Sequence, residues 1–256
     1  MKSFRIILIQ SQLGIPITKR ELDEIRAFKP HFVCFPEYFF VSQHLNTMNQ
    51  TNHNQKLQLK RMRTLSRELD TVIIGGTMPE LESDRVYNSS FVFDRGKLLG
   101  SYRKNHLFFP EVGKITPGES FKTFTAYGIT FGVLICADVF HDESFDFMKK
   151  EGASIVFIPT FSPRKEETAE VKFARDREIY VRGAGLADAV LVKVCGVPSP
   201  FKTFLQARSL VANSEKILFR VHPEEEEKSM IIRHEIVLSP DKTGPFPKGK
   251  TDDTTN

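Results

Sequence analysis

The chain lacks the features that mark secreted, membrane-spanning and nucleic-acid-binding proteins. Its 256 residues include only three cysteines and no tryptophan. An odd and sparse set of cysteines does not build a disulfide framework, and its spacing matches no zinc motif, so a reducing compartment is favoured. No apolar run approaches the length of a membrane span, and the run within residues 1–10 is too short for a signal peptide. We therefore expect a cytoplasmic protein that makes no membrane contact.

Charge and linker composition exclude further classes. The formal net charge is only +4, and no stripe of lysine and arginine is interleaved with aromatic residues. We therefore expect no nucleic-acid partner. No repeat and no proline- or glycine-rich linker interrupts the chain, which predicts a single domain over residues 1–238. Residues 239–256 have almost no apolar content and are expected to form an extended or disordered polar tail.

Apolar runs alternate with longer helix-like stretches, a pattern typical of layered α/β proteins. Strands are predicted over residues 4–9, 32–35, 72–75, 89–93, 129–135, 155–159, 189–195 and 208–211. Helices are predicted over residues 19–28, 55–69, 142–150 and about 166–188. The turn Asp94-Arg95-Gly96-Lys97 joins residues 89–93 to 98–102 as an antiparallel hairpin, because its glycine tolerates a positive φ. A mixed sheet is therefore expected.

Three reactive side chains stand where predicted strands end. Cys136 follows the apolar run that ends in Leu134 and Ile135, Glu37 follows the strand over residues 32–35, and Lys104 follows residues 98–102. Ligands and catalytic groups of α/β folds collect at strand ends. A carboxylate, an ammonium and a thiol at such positions predict an acylating site.

Each of these groups suits one step of acyl transfer. A thiolate is the form of Cys136 that attacks a carbonyl or nitrile carbon, so a base must remove its proton. Glu37 in a partly apolar pocket would have a raised pKa, which suits a general base. Lys104 and the backbone N–H of Ala137 would stabilise the developing oxyanion. The other cysteines, Cys34 and Cys195, are expected to be small buried side chains.

The segments that hold these residues resemble the signature segments of the nitrilase superfamily of carbon–nitrogen hydrolases. They read Phe35-Pro36-Glu37, Tyr102-Arg103-Lys104-Asn105-His106-Leu107-Phe108 and Ile135-Cys136-Ala137-Asp138, in the family's order and spacing. Supporting matches include Gly75-Gly76, Tyr87-Asn88-Ser89, Asp94-Arg95-Gly96-Lys97 and Gly152-Ala153, and the resemblance covers about residues 4–218. It implies a four-layer αββα sandwich with mixed sheets, a triad of Glu37, Lys104 and Cys136, no metal and no organic cofactor. It also implies a homodimer or a higher homo-oligomer.

Many members of this superfamily carry a second glutamate in the active site. Residues 113–120 resemble the corresponding stretch of the omega-amidase branch, which points to Glu119. Glu111 is closer to Lys104 in sequence and stays an alternative. We favour Glu119, because the text Gly113-Lys114-Ile115-Thr116 aligns it with that branch and a nearby carboxylate would hold Lys104 charged and oriented.

The sequence also departs from close relatives, which leaves the substrate open. Ala137 replaces an aromatic residue after the cysteine, and two glycines stand within Arg182-Gly183-Ala184-Gly185. Candidate pocket residues flank the triad segments. They are Phe39, Phe40, His106, Phe108 and Phe109. The acidic run Glu224–Glu227 is interpreted as a solvated loop rather than a metal site.

The resemblance predicts a thiol-dependent hydrolase that cleaves a non-peptide C–N bond of a small amide and releases ammonia or an amine. An N-carbamoyl hydrolase is the alternative within the enzyme class. A catalytically silent binding or assembly protein is the alternative from another class. An acidic substrate would need a cation in the pocket, for which Arg103 and Arg164 are candidates.

Overall fold

Two mixed β-sheets pack face to face, and helices cover both outer faces. The computed structural model describes residues 1–41, 48–197, 205–239 and Lys242, with the side chains of residues 48–52 excepted. Most of the predicted tail, residues 240–256, therefore lies outside the described residues. The predicted α/β architecture, a four-layer αββα sandwich, is confirmed.

The elements of the described chain alternate as the sequence pattern predicts. The strands are β1 (Lys2–Gln10), β2 (Phe32–Cys34), β3 (Val72–Ile74), β4 (Met78–Glu82), β5 (Arg85–Asp94), β6 (Lys97–Arg103), β7 (Thr123–Ala126), β8 (Ile129–Val133), β9 (Ile155–Thr160), β10 (Val190–Cys195), β11 (Leu210–Ala212), β12 (Ile217–Arg220) and β13 (Met230–Leu238). The helices are α1 (Lys19–Phe28), α2 (Met48–Glu68), α3 (Asp142–Lys150), α4 (Ala169–Asp176) and α5 (Arg182–Ala187). A π-helical turn, Arg177–Val181, joins α4 to α5. Among the described residues, no helix has the length and apolar content to cross a membrane.

Both sheets combine a parallel centre with antiparallel edges. The first has the order β13-β1-β2-β3-β5-β4, with β6 paired to β5, and the second has the order β12-β11-β10-β9-β8-β7. Strands β1, β2 and β3 run parallel in the first sheet, as do β8, β9 and β10 in the second. The carboxyl ends of the parallel strands carry the segments that contain Glu37, Cys136 and Phe161, which places these segments at one end of the sandwich.

The inner faces of the two sheets form an aromatic core. The Phe32 ring of β2 lies 5.2 Å from that of Phe131 and 5.3 Å from that of Phe157, both on the opposite sheet. The outer face of the second sheet packs on α3, α5 and the π turn, so every residue of β9 is buried. Parallel strands covered on both faces read as continuous apolar runs, which is why their positions could be predicted.

Helices and strands agree with the sequence prediction where the local sequence pattern is strong. Helices α1 and α3 have the predicted bounds, and α1 begins at a capping box between Thr18 and Glu21. Strands β4, β7, β12 and β13 were not predicted, because they are short or half exposed. Gly183 is explained by close packing, since a Cβ there would lie 2.6 Å from the Phe145 ring of α3.

Candidate active site

The thiol of Cys136 stands on a strained turn at the end of β8. Cys136 begins a five-residue 3₁₀ helix, Cys136–Phe140, and has a φ of 44°, in the left-handed region. Residues without glycine's freedom adopt this region at an energetic cost, and such strain collects at functional sites. Cys136 as a residue is partly exposed, and its thiol donates to the carbonyl of Phe161 at 3.5 Å, whereas Cys34 and Cys195 are fully buried. Cys136 is therefore the most exposed cysteine of the three.

Asp138 holds the turn that carries the thiol. Its buried carboxylate accepts hydrogen bonds from the N–H of Ile135 at 2.8 Å, the hydroxyl of Tyr102 at 2.8 Å and the N–H of His106 at 2.9 Å. Tyr102 and His106 flank Lys104 in sequence. Asp138 thus couples the position of Cys136 to that of Lys104.

Glu37 and Lys104 form a buried ion pair beside the thiol. Lys104 Nζ lies 2.9 Å from Glu37 Oε1, and both side chains are 1% exposed. Glu37 Oε2 accepts the N–H of Phe161 at 2.7 Å, and the carbonyl of Phe161 accepts the Cys136 thiol. The backbone of Phe161 therefore bridges the carboxylate and the thiol, and the structure brings the three predicted residues together.

The second glutamate of the cluster is Glu111, and the preference for Glu119 is corrected. Glu111 Oε2 lies 2.7 Å from Lys104 Nζ and accepts the N–H of Phe108 at 2.8 Å. A 3₁₀ turn, Phe109–Glu111, folds this carboxylate back onto Lys104. The N–H of Gly118 does bond to the Lys104 carbonyl, but Glu119 is exposed and its charge acts on Arg85 outside the cluster.

The electrostatics give each group a defined resting state. Burial, reinforced by the charge of Glu37, raises the pKa of the Cys136 thiol well above its ordinary value. Burial also raises the pKa of Glu37, although Lys104 opposes it. Burial favours the neutral form of Lys104, but the surrounding acidic groups outweigh it and raise the Lys104 pKa. Burial also favours the neutral form of Glu111, but Lys104 and the hydrogen bonds that the carboxylate accepts hold the pKa of Glu111 below its ordinary value. The resting site therefore contains a neutral thiol beside a cation and at least one carboxylate.

Two polar residues of the cluster were missed by sequence reasoning. The Tyr38 hydroxyl donates to Glu111 Oε1 at 2.5 Å. The buried amide nitrogen of Asn88 lies 2.9 Å from Glu37 Oε1, from Glu111 Oε1 and from the Tyr38 hydroxyl. Tyr38 directly follows Glu37, and Asn88 lies in one of the matched segments. Their contacts, however, join residues far apart in the chain, so no local pattern in the sequence predicts them.

The aromatic residues after Glu37 divide between core and site. The Phe39 and Phe40 rings lie 4.8 and 5.0 Å from that of Phe35, in the core on the outer, helix-covered face of the first sheet. Their expected place in the pocket is therefore wrong. Tyr38, which has a positive φ of 60°, turns toward Glu111 instead.

His106 has a supporting position. Its Nδ1 lies 3.1 Å from Asp138 and its Nε2 lies 2.9 Å from Glu143, and its ring stacks on that of His141 at 3.6 Å. The structure therefore places His106 against the turn that follows Cys136, where these contacts orient it.

The remaining candidate pocket residues and candidate cations are either exposed or paired with other residues. Phe108 and Phe109 are exposed on the segment that carries Glu111, and Phe109 is 87% exposed. Arg103 pairs with Glu80 and Glu82. Arg164 is exposed and pairs with an exposed glutamate. Both arginines therefore already have carboxylate partners.

Comparisons with known proteins point to one family. Residues 22–179 match the family model described as carbon-nitrogen hydrolase. An omega-amidase NIT2 of Xenopus tropicalis is 28% identical over 214 residues, which cover 73% of this chain and 76% of that protein. An omega-amidase NIT3 of Saccharomyces cerevisiae is 36% identical over 109 residues, 38% of this chain and 37% of that protein.

Solved structures share the fold. The crystal structure of Saccharomyces cerevisiae Nit3, a member of branch 10 of the nitrilase superfamily, superposes with a TM-score of 0.72 and 21% identity, covering 94% of this chain and 92% of that chain. An amidase from Nesterenkonia sp. superposes with a TM-score of 0.72 and 18% identity, covering 91% and 90%. A mutant of that amidase was crystallised with butyramide.

Proposed function

The chain belongs to the carbon–nitrogen hydrolase family, and from this premise we propose that it hydrolyses the C–N bond of a small carboxamide through a thioester at Cys136. One observation carries the proposal. The backbone of Phe161 bonds to Glu37 with its N–H and to the Cys136 thiol with its carbonyl, at 2.7 and 3.5 Å. A base and a nucleophile held on one residue's backbone are arranged for proton transfer between them.

The first half-reaction forms the thioester. Cys136 Sγ attacks the amide carbon, and the thiol proton passes to Glu37, whose raised pKa favours accepting it. The carbonyl oxygen becomes an oxyanion, which Lys104 and the N–H of Ala137 stabilise. The C–N bond then breaks, Glu37 returns its proton to the nitrogen, and ammonia or an amine leaves.

The second half-reaction regenerates the enzyme. Water attacks the thioester carbon while Glu37 accepts one of its protons, and the C–S bond breaks. The sulfur regains a proton from Glu37, and the acyl group leaves as a carboxylic acid. Glu111 holds Lys104 in place through both halves, because its carboxylate contacts the ammonium at 2.7 Å. In this role it is a positioning residue.

Ammonia release tests the proposal directly. Wild-type protein and Cys136→Ala are compared on a panel of small amides, N-carbamoyl amino acids and nitriles. Cys34→Ala is the matched control, since it removes a fully buried thiol, which donates to the carbonyl of Phe35. We expect turnover that vanishes in Cys136→Ala and persists in Cys34→Ala, with an acyl adduct on Cys136 after rapid quenching.

The opposite outcome has a defined meaning. If no compound releases ammonia and Cys136 reacts with iodoacetamide no faster than the two buried thiols, the proposal fails in favour of a binding or assembly role. A single domain over residues 1–238, a cytoplasmic location and a homo-oligomeric state stay predictions, the last of which light scattering would test.

A further inference from the structure

Asn88 is a fully buried amide inside the active-site cluster, and the proposed reaction gives it no role. It lies on β5, and its backbone carbonyl accepts the N–H of Lys104 at 2.9 Å. Its side-chain nitrogen lies 2.9 Å from Glu37 Oε1, from Glu111 Oε1 and from the Tyr38 hydroxyl. Asn88 therefore contacts both carboxylates of the cluster and the backbone of the residue that carries the ammonium.

The neighbouring oxygens decide which end of the amide faces them. The Tyr38 hydroxyl gives its proton to Glu111 Oε1 at 2.5 Å, so its oxygen accepts a bond from Asn88. An ionised carboxylate has only acceptors. The amide nitrogen therefore faces three acceptors, and within the described residues the amide oxygen has no hydrogen-bond partner. A buried acceptor without a partner costs free energy, which indicates that the site uses Asn88 for its donor end.

The two glutamates of the cluster share one cation. Among the described residues, the salt bridges of Glu37 and Glu111 go to Lys104 alone, at 2.9 and 2.7 Å. Glu226, by contrast, has two cations within 3.5 Å, and its burial corrects the interpretation of the acidic run as wholly solvated. Two ionised carboxylates on one ammonium carry a net negative charge, so neutral donors must satisfy their remaining lone pairs. Asn88 is such a donor.

The two oxygens of Glu37 have different surroundings. Oε1 accepts bonds from Lys104 Nζ and from the Asn88 amide, both at 2.9 Å, which occupies its two lone pairs. Among the described residues, Oε2 accepts one bond, from the N–H of Phe161 at 2.7 Å, and the carbonyl of Phe161 accepts the Cys136 thiol. Because a proton adds only to a lone pair that no donor occupies, Oε2 is the oxygen suited to take the thiol proton.

We propose that Asn88 is a positioning residue for Glu37: its amide donates to Oε1 and so leaves Oε2 as the oxygen that exchanges a proton with Cys136. This inference rests on the proposed function, in which Glu37 is the base. The thiol proton moves to Oε2 as the S–C bond forms, and it moves from Oε2 to the leaving nitrogen as the C–N bond breaks. Asn88 keeps its own protons and holds the carboxylate in one orientation for both transfers.

Replacing Asn88 with leucine removes the donor and nearly keeps the shape of the side chain. In Asn88→Leu we expect kcat for a hydrolysed amide to fall by about 10- to 100-fold, as for the loss of a hydrogen bond to a charged group. KM should change less than about threefold, because Asn88 contacts Glu37 rather than the substrate. Without the donor the protonated form of Glu37 is favoured, so the acid limb of kcat/KM should move to higher pH. Asn88→Ser keeps one O–H donor and should show both changes to a smaller extent.

Ser90→Ala is the matched control on the same strand. Ser90 lies two residues farther along β5, on the same face, and is also fully buried. Its hydroxyl has no hydrogen-bond partner within the part of the chain that the structure describes, so this variant should keep the wild-type kcat and acid limb. Thermal unfolding of each variant verifies that it is folded before kinetics are compared.

A second measurement needs no substrate. Iodoacetamide alkylates Cys136 only after its proton is removed, so the alkylation rate against pH also reports the protonation of Glu37. Mass spectrometry of the peptide that contains Cys136 separates its alkylation from that of the two buried cysteines. The acid limb of this rate should move to higher pH in Asn88→Leu and should stay in place in Ser90→Ala.

The outcomes separate this inference from the proposed function. If the Asn88 variants keep the wild-type kcat, or if kcat falls while the acid limb stays in place, Asn88 does not act through Glu37, and the hydrolase proposal stands. If Asn88→Leu does not fold, the same comparison is made with Asn88→Ser alone. If wild-type protein hydrolyses no amide, the hydrolase proposal fails, and the alkylation profile decides the inference. A limb that moves to higher pH in the Asn88 variants would support it, and an unchanged limb would overturn it.

Discussion

Replacing Glu111 with glutamine removes one charge from the cluster and keeps the shape of the side chain. The carboxylate accepts bonds from Lys104 Nζ at 2.7 Å, the Tyr38 hydroxyl at 2.5 Å and the N–H of Phe108 at 2.8 Å. Glutamine can still accept bonds through its oxygen, but it contributes no charge to hold the ammonium. A hydrogen bond to a charged group contributes about 1.5–3 kcal/mol. A loss of about 2–3 kcal/mol from the transition state lowers kcat by roughly 30- to 150-fold.

The kinetic signature is specific to a positioning role. Glu111 is placed against Lys104 rather than the substrate, so kcat should fall more than KM rises. The charge of Glu111 raises the pKa of Glu37, so its removal lowers that pKa. The acid limb of kcat/KM should therefore move to lower pH in Glu111→Gln. Ammonia release between pH 4 and 8, measured at several substrate concentrations, gives both quantities.

The contribution of Glu111 to the stability of the protein should also depend on pH. Because the pKa of Glu111 is lowered by folding, its stabilisation is present above the ordinary glutamate pKa and is lost as pH falls through the folded value. The difference in Tm between wild-type protein and Glu111→Gln should thus be largest near neutral pH. Glu119→Gln is the control and should change kcat less than about twofold, because Glu119 is exposed. A large loss in Glu119→Gln with none in Glu111→Gln would refute this reasoning.

Three further predictions concern stability and pH. Asp138→Asn places an amide N–H donor against the backbone N–H groups that the carboxylate now accepts, so the free energy of unfolding should fall by about 3 kcal/mol. Calorimetry should show a fall of roughly 6–12 °C in Tm, whereas the same change at the exposed Asp146 should leave Tm unchanged. Gly183→Ala should lower stability by about 1–3 kcal/mol in urea unfolding, because its Cβ meets Phe145, whereas Gly185→Ala, whose Cβ has 3.9 Å of clearance, should be neutral or stabilising. The acid limb of wild-type kcat/KM should lie above 4.5, the ordinary glutamate pKa, because burial raises the pKa of Glu37, and a limb below that value would contradict its role as base.

Local signals explain what could be predicted. Buried parallel strands such as β9 read as continuous apolar runs, and α1 carries its own capping box, so their bounds follow from short windows of sequence. The half-exposed β13 alternates weakly and is defined by its pairing with β1, which lies more than 200 residues away in sequence. Such a pairing leaves no signal in the strand itself.

The choice between Glu111 and Glu119 shows the same limit at the site. Both are glutamates in one segment, and local similarity favoured the wrong one. Only the 3₁₀ turn over Phe109–Glu111 directs one carboxylate to Lys104, while Glu119 stays in solvent. Phe39 and Phe40 were misplaced for a related reason. Both pack in the core on the outer face of the first sheet, whereas Tyr38 of the same turn contacts Glu111.

The sequence by itself determined the layered architecture and the family, and it predicted three residues that the structure brings together, because apolar periodicity and short motifs are properties of neighbouring positions. Only the tertiary structure decided which glutamate contacts Lys104 and that the backbone of Phe161 bridges Glu37 and the Cys136 thiol. These facts depend on distances between strands far apart in the chain. Side-chain charges and hydrogen bonds act over a few ångströms, so they are settled only when packing brings those strands together.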